Sequence, residues 1–204
     1  MGKQARRMKA GSTRAYRMKR RAEHVDETRL RITEAAVRLH TTIGPANTTI
    51  ARIADEAGVT RLTVYRHFAD ADAVFNACMG HWSAQHPAPD PATWRKVGDL
   101  ASRVRLALAD ISAWYEGTAD DLAPIERDIA AVPQSARDRR NSRVAEWIAA
   151  ILGDAPDPAR MLRAVIGHVV AVSTWRSLVR DQGLAPGVAV DLQVRWVLDV
   201  AESA

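Results

Sequence analysis

The side chains with the clearest capacity for chemistry lie in residues 60–67, where hydroxyl, cationic and aromatic groups follow one another. Val64 and Phe68 are four residues apart, a spacing that buries one face of a helix. The other side chains of that helix would then be offered to a ligand: Thr60, Arg61, Leu62, Thr63, Tyr65, Arg66 and His67. Small hydroxyls and arginine at the start of a helix suit hydrogen bonds to phosphate oxygens and base edges. The pattern predicts a short helix that contacts DNA.

A second short helix and a tight turn precede this segment and must position it. Thr48 or Thr49 is placed to cap a helix whose apolar residues would pack inward: Ile50, Ile53, Ala54 and Ala57. Gly58 ends that helix, because glycine adopts the left-handed conformation of such a position without strain. A helix as short as residues 60–68 nucleates poorly on its own, so its neighbours must hold it. Residues 49–68 are therefore predicted to form a helix-turn-helix motif.

Residues 26–80 resemble the TetR/AcrR family of bacterial regulators. The shared residues keep the family's order and spacing: Thr28-Arg29, Ile32, Ala35-Ala36, Leu39, Gly44, Thr48-Thr49-Ile50, Ile53-Ala54, Ala57-Gly58-Val59-Thr60, Thr63-Val64-Tyr65 and His67-Phe68. The resemblance implies an all-α fold of about nine helices. An N-terminal three-helix helix-turn-helix DNA-binding domain would be followed by a helical ligand-binding and dimerisation domain.

The resemblance also implies roles for individual residues of the motif. Thr49 and Tyr65 would contact phosphates, and the groove-facing positions would be Arg61, Leu62, Thr63 and His67. The predicted DNA-binding set is completed by Thr48, Thr60 and Arg66. Considered from the sequence alone, Tyr65 could instead be a core tyrosine with a solvated hydroxyl.

Two positions depart from the family's pattern. The family usually has a phosphate-contacting lysine three residues after the closing phenylalanine, but here Ala71 stands between Asp70 and Asp72. A negative helix start suits the helix dipole and repels DNA. The family often has glycine or alanine where this chain has Leu62, which either meets a thymine methyl group or is simply a tolerated exposed leucine.

The chain is a mildly acidic body with a strongly basic N-terminal arm. Residues 1–21 hold nine of the 29 Lys and Arg residues and no acidic residue, so the remainder has 20 basic and 24 acidic side chains. The arm is either a solvated, disordered tail or a segment that contacts DNA and compensates for the missing lysine at position 71. We favour the DNA contact, although Met8 and Met18 also allow translation to begin inside the arm.

Several classes of protein are disfavoured by the composition. Cys78 is the single cysteine, which excludes an internal disulfide and a zinc site built on several thiolates. There is no apolar run long enough to span a bilayer and no apolar stretch behind the basic residues, so we expect a cytoplasmic protein without membrane contact. No catalytic triad spacing, paired metal-binding histidines or glycine-rich phosphate loop is present. We therefore expect no enzyme activity, catalytic residue, cofactor or metal.

Helical signals dominate after the arm. The predicted domains are a basic arm over 1–25, a DNA-binding domain over 26–86 and an effector-binding and dimerisation domain over 87–204, divided by the three prolines of residues 86–91. Asp26 would cap the first helix, which Gly44-Pro45 would end, and Asp70 would cap a fourth helix that reaches Trp82. The later helices are predicted over 93–117, 119–131, 134–152, 157–181 and 187–202. Pro124 would delay or kink the second of these.

The last two of these helices are the most apolar, so we expect a homodimer in which a partner chain covers them. The residues predicted to line an effector pocket are Trp114, Tyr115, Trp147, His168 and Trp175, with Arg127, Asp128 and Arg163 as polar anchors. The alternative is that the tryptophans are ordinary core residues and that His168 is a core or interface residue.

Taken together, the sequence predicts a transcriptional regulator, of which a repressor is the commoner form in the family. It would bind a palindromic operator in double-stranded DNA as a homodimer and be released by a small-molecule effector. The alternatives are an activator of the same fold, an architectural DNA-binding protein without an effector, and a helical enzyme that contains a helix-turn-helix.

Overall fold

The computed structural model describes residues 23–153 and 160–203. Over these ranges the chain forms ten α-helices and no β-strand, which confirms the predicted all-α fold. None of the described helices is both long and apolar enough to cross a membrane. The predicted basic arm lies outside the described residues except for residues 23–25, which are already helical.

Four helices form the N-terminal part of the fold: α1 (23–42), α2 (Ile50–Glu56), α3 (Arg61–His67) and α4 (Ala71–Gln85). The predicted start of α1 at Asp26 is wrong, because the helix already includes the preceding residues and the Thr28 hydroxyl donates to the His24 carbonyl at 2.9 Å. As predicted, α1 ends before Gly44 (φ +87°) and Pro45, which opens a short 3₁₀ turn. One compact core holds the four helices together and includes Ile32, Ala35, Ala36, Ile53, Ala54, Val64, Phe68, Val74 and Cys78.

Six further helices follow: α5 (Pro91–Trp94), α6 (Leu100–Arg127), α7 (Gln134–Leu152), α8 (Arg160–Val169), α9 (Val172–Trp175) and α10 (Pro186–Glu202). A π-helical segment, Arg176–Asp181, continues from α9. The largest core of the protein lies between these helices, with α6 at its centre packed against α10, α7 and α9. Helix α7 and helix α10 lie close to their predicted ranges.

The helices predicted over 93–117 and 119–131 are wrong in their bounds. The chain instead forms α5, then a new helix that Asp99 caps by accepting from the Ser102 N–H at 2.8 Å. Helix α6 then runs through both Gly117 and Pro124 to Arg127. Proline removes one helical hydrogen bond, but burial on both sides of it, from Val104 to Ile125, keeps the helix continuous.

The single helix predicted over 157–181 is also wrong, because the chain turns at residues 170–171. The turn leaves two backbone carbonyls without a helical hydrogen bond, and polar side chains from other helices donate hydrogen bonds to them. The Tyr115 hydroxyl donates to the Val170 carbonyl at 2.9 Å, and the Gln193 amide donates to the Val169 carbonyl at 2.9 Å. Satisfied in this way, buried carbonyls carry no desolvation penalty.

Candidate nucleic-acid interface and ligand cavity

Helices α2 and α3 form the predicted helix-turn-helix, and each has a hydroxyl cap. Thr49 caps α2 by accepting from the Arg52 N–H at 3.3 Å, whereas the Thr48 hydroxyl donates to the Gly44 carbonyl at 2.9 Å. Gly58 has a φ of +64° in the turn, as its left-handed position requires. Thr60 caps α3 by accepting from the Thr63 N–H at 3.2 Å. These local contacts fix the start and the direction of α3.

One face of α3 is buried and the other is open. Val64 is fully buried and Phe68 is 3% exposed, so both anchor the helix in the core. Leu62 is 72% exposed and Tyr65 is 53% exposed, and the interpretation of Tyr65 as a core tyrosine is therefore wrong. The rest of the predicted contact face is exposed at Thr60, Arg61 and Arg66 and half-buried at Thr63 and His67, while on the preceding segment Thr49 is exposed and Thr48 is half-buried.

Arg29 of α1 holds the C-terminal end of α3, a role that the sequence analysis does not assign. Its guanidinium donates to the His67 carbonyl at 2.5 Å and lies over the Phe68 ring at 4.1 Å from the centroid. Partial burial, together with the charges of Arg29 and Arg66, lowers the pKa of His67. The imidazole is thus favoured in its neutral form, in which it can both donate and accept a hydrogen bond.

The start of α4 is acidic and accessible, in keeping with the departure noted at position 71. Ala71 and Asp72 are exposed, and Asp70 caps the helix by accepting from the Ala73 N–H at 2.7 Å. The positive charge on the α3 side therefore comes from Arg61, Arg66 and the nearby Arg29, not from α4.

His40 and Cys78 form a buried, uncharged pair beneath this surface, with 3.4 Å between Nδ1 and Sγ. Burial lowers the pKa of His40 to about 4 and raises the pKa of Cys78 to about 12. A thiol that stays protonated at neutral pH is a poor nucleophile and a poor metal ligand. Within the described ranges, no group of three or more His, Cys, Asp or Glu residues is arranged to hold a metal ion.

A cavity of about 650 Å³ lies between α4, α6, α7 and the turn at residues 170–172. Three of the residues predicted for an effector pocket line it: Trp114, Tyr115 and Trp147. The Trp114 and Trp147 rings meet edge to face, with centroids 5.9 Å apart. Other apolar lining residues are Phe75, Met79, Trp82, Leu122, Ile125, Ile129, Val132, Val144, Val170 and Val172. A volume of this size and an apolar wall are typical of small-molecule sites.

The other predicted pocket residues do not line this cavity. Trp175 is buried beside it and donates from its indole N–H to the Ser112 hydroxyl at 2.9 Å. His168 and Arg163 are exposed on α8, so His168 is not a core residue. Arg127 and Asp128 lie at the end of α6, where they contact the turn between α1 and α2.

This contact, which we call the α6 latch, consists of Arg127 and Asp128 against the turn after α1. The Arg127 guanidinium donates to the Ile43 carbonyl at 2.8 Å, and the Asp128 carboxylate accepts from the Ala46 N–H at 3.1 Å. The two side chains also pair with each other, which lowers the pKa of Asp128. Gly44 leaves the space for the latch, because a Cβ there would collide with both side chains.

The polar wall of the cavity is formed by α7 and was not predicted. Its charged residues are Arg137, Arg139, Arg140 and Arg143, together with Glu126 from α6. The sequence holds a visible signal, the run ARDRRNSR over residues 136–143, but such a run also fits a solvated helix face. The packing of α7 against α6 turns part of that run inward.

The outer sides of α8 and α10 carry exposed apolar side chains. Met161 is 63% exposed and Val188 is 52% exposed, with Val165, Leu192 and Trp196 half-buried nearby in the sequence. A dimer through these helices stays a prediction.

The sequence model of the family described as "Bacterial regulatory proteins, tetR family" matches residues 32–78. No curated protein sequence matches the chain. Among solved structures, NalD, the secondary repressor of the MexAB-OprM multidrug efflux pump in Pseudomonas aeruginosa, is 21% identical with a TM-score of 0.57, over 87% of this chain and 96% of that one. A tetR-family transcriptional regulator from Streptomyces coelicolor is 18% identical with a TM-score of 0.61, over 87% and 83% of the two chains.

The transcriptional regulator FadR from Bacillus subtilis, in complex with stearoyl-CoA, is 16% identical with a TM-score of 0.56, over 82% of this chain and 96% of that one. At such identities the likeness is one of fold. Residues 32–78 thus match the sequence model of the tetR family of bacterial regulatory proteins, and the chain as a whole has the fold of TetR-family transcriptional regulators.

Proposed function

We propose that the protein is a homodimeric transcriptional repressor that binds a palindromic operator through α3 and releases it when a small molecule enters the cavity. The observation that carries the proposal is the exposed face of α3 on a rigidly capped scaffold. On that face Leu62 and Tyr65 are 72% and 53% exposed, so both side chains are free to contact another molecule. A helix with arginines and hydroxyls on the same face suits the major groove.

A ligand response is supported by the shared use of α4. Val74 and Cys78 of this helix pack in the core of the DNA-binding helices, whereas Met79 and Trp82 line the cavity. The α6 latch makes a second link, since Ile125 and Ile129 on either side of it also line the cavity. A ligand that favours one arrangement of these helices would change the separation of the two α3 helices in a dimer.

Two proteins of similar fold are consistent with this proposal. NalD is described as a repressor, and FadR was solved with stearoyl-CoA. Both descriptions apply to those proteins. For this chain, repression, the palindrome and the effector are expectations that follow from the fold and from the cavity.

The test begins with selection of bound sequences from random DNA duplexes, followed by footprinting on the DNA beside the gene. We expect one palindromic site, protected over two half-sites about one or more helical turns apart. Arg61→Ala should weaken binding, and it should lower the salt dependence by about one unit of slope if Arg61 contacts a phosphate. Arg95→Ala is the matched control, because Arg95 is an exposed arginine just after α5.

Two results would contradict the proposal. Weak binding with no sequence preference, and no change on adding any ligand, would favour an architectural DNA-binding protein. Equal loss of affinity in Arg61→Ala and Arg95→Ala would show that α3 is not the reading helix.

A further inference from the structure

We infer that the cavity binds an organic anion with an apolar body, and that Arg137 and Arg143 hold its acidic group. This inference rests on the proposed function only in taking the cavity to be a ligand site. The arginines at positions 137, 140 and 143 recur every three residues along α7, so they share one face of the helix. All three are half-buried and line the cavity, together with the more exposed Arg139.

Two of these four arginines already have partners. Arg140 forms a two-point ion pair with Glu126, with Nε–Oε1 at 2.7 Å and Nη2–Oε2 at 2.8 Å. Arg139 donates to the side-chain oxygen of Asn76 at 2.6 Å. Glu126 is the sole carboxylate that lines the cavity within the described ranges, and its charge is used by Arg140.

The other two arginines, Arg137 and Arg143, have no carboxylate partner among the residues that the structure describes. The Nε of Arg137 is buried and has no hydrogen-bond acceptor in the described part of the chain. Arg143 forms no ion pair within the described residues; Glu146 attracts it from a distance, and burial lowers the pKa of its guanidinium. The Arg137 Nε is a buried donor without a partner and Arg143 is a half-buried charge, so an anion that supplies both with an acceptor should bind favourably.

The rest of the cavity defines the body of the ligand. Three tryptophans also line the cavity, Trp82 of α4, Trp114 of α6 and Trp147 of α7, and the Trp114 ring meets the other two edge to face, at 6.3 Å and 5.9 Å between centroids. Such a wall favours a flat or branched hydrocarbon body. A guanidinium binds carboxylates and phosphates alike through two parallel hydrogen bonds, so both acid types fit the head-group position. DNA is too large to reach side chains that lie inside a cavity between helices.

Matched small molecules test the inference on the full-length protein without DNA. The probes are 2-naphthoate, 2-naphthyl phosphate and the neutral 2-naphthamide, which share one aromatic body. Binding is measured by calorimetry and by the fluorescence of the tryptophans. We expect at least one of the two anions to bind about 10-fold or more tightly than the amide, because a hydrogen bond to a charged group outweighs a neutral one. Comparison of the two anions distinguishes a carboxylate from a phosphate ligand.

Variants locate the acid group. Arg143→Met and Arg137→Met keep the apolar stem and remove the charge, so each should abolish the preference for the anion while leaving amide binding unchanged. Arg95→Met, on the surface after α5, should behave like the wild type. If a variant proves unstable, the anion preference of the wild-type protein and its loss at high salt still decide the matter. Equal binding of anion and amide by the wild type, binding of neither, or retention of the preference in both variants would overturn the inference.

Adding the same probes to the protein bound to its operator separates this inference from the proposed function. Anion binding that fails to release the operator would refute the ligand response and leave the assignment of the arginines intact. Operator release by a neutral molecule, with no preference for the anion, would support the ligand response and refute the assignment of the arginines.

Discussion

Replacing Leu62 by alanine should weaken operator binding and leave the stability of the fold unchanged. Leu62 is 72% exposed on the outer face of α3, so the free protein gains little from it. Complete burial of a leucine side chain contributes about 1.5–3 kcal/mol. Because roughly three quarters of this side chain is still available and alanine keeps its first carbon, contact with a thymine methyl group should contribute about 1–2 kcal/mol. The dissociation constant should therefore rise about 5-fold to 30-fold.

The assay is fluorescence anisotropy on a labelled operator duplex at fixed salt, with thermal unfolding as the check on stability. Thymines are then replaced one at a time by deoxyuridine, which removes only the C5 methyl group. At the contacted base this change should weaken the wild type but have no further effect on Leu62→Ala. Leu106→Ala is the control, since Leu106 is another exposed leucine, at 38%, on α6. Unchanged affinity for Leu62→Ala, or equal deoxyuridine effects in both proteins, would refute the reasoning.

Acid, one added methyl group and loss of the basic arm should each perturb a different part of the molecule. The pKa of His40 falls from 6.5 to about 4 on folding. As the pH drops, His40 is therefore protonated in the unfolded chain before it is protonated in the folded one. The free energy of unfolding should keep its full value above pH 6.5 and fall by up to about 3 kcal/mol as the pH drops to 4. Urea unfolding should show this loss in the wild type and not in His40→Gln; parallel pH profiles would contradict it. Gly44→Ala should lower the melting temperature more than Gly58→Ala, because both positions have positive φ but only a Cβ at position 44 would collide with the α6 latch. Equal decreases in melting temperature would show that Arg127 and Asp128 can move aside at no cost. Removing residues 2–21 should weaken operator binding and flatten its salt dependence by about 0.9 per lost phosphate contact, whereas an unchanged slope would show that the arm is only a tail.

The helix-turn-helix could be predicted from the sequence because its signals act over three or four residues. The caps at Thr49, Thr60 and Asp70 each bond an N–H three residues further on. Gly58 stands at the left-handed position that it was expected to occupy. Where cap, stop signal and apolar spacing agree, the local structure has few alternatives.

The C-terminal helices could not be placed in the same way, because their ends depend on residues far away in the chain. The turn after Val169 is possible because Tyr115 and Gln193, which lie 55 and 24 residues from their partners, bond the freed carbonyls. Conversely, Pro124 is a local signal for the end of a helix, but α6 continues past it because the packing of its buried side chains outweighs the lost hydrogen bond. Trp114, Tyr115 and Trp147 line the cavity as predicted from their type, but Trp175, predicted on the same ground, does not, because type does not tell which side of the core a ring occupies.

The arginines of α7 illustrate the limit of reasoning from composition. A run of charges on a helix is usually a solvated face, and nothing within residues 136–143 reveals that one side of α7 lines an apolar cavity. Only the path of the chain decides which arginines face inward. The same path pairs Glu126 with Arg140 and, within residues 23–153 and 160–203, gives Arg143 no carboxylate of its own.

The proposed ligand response needs a part of the cavity wall that cannot move without the DNA-binding helices, and Phe75 meets that requirement. Its ring lines the cavity and packs with Ile125 and Val132 at the end of α6. The same ring meets His40 of α1 edge to face, at 4.8 Å between centroids. A ligand that displaces Phe75 thus acts on α1 and α4 together. The ligand can change the affinity for the operator only by the ratio of its own affinities for the two positions of the Phe75 ring. Because such coupling is reciprocal, binding of the operator must change the affinity for the ligand by the same factor.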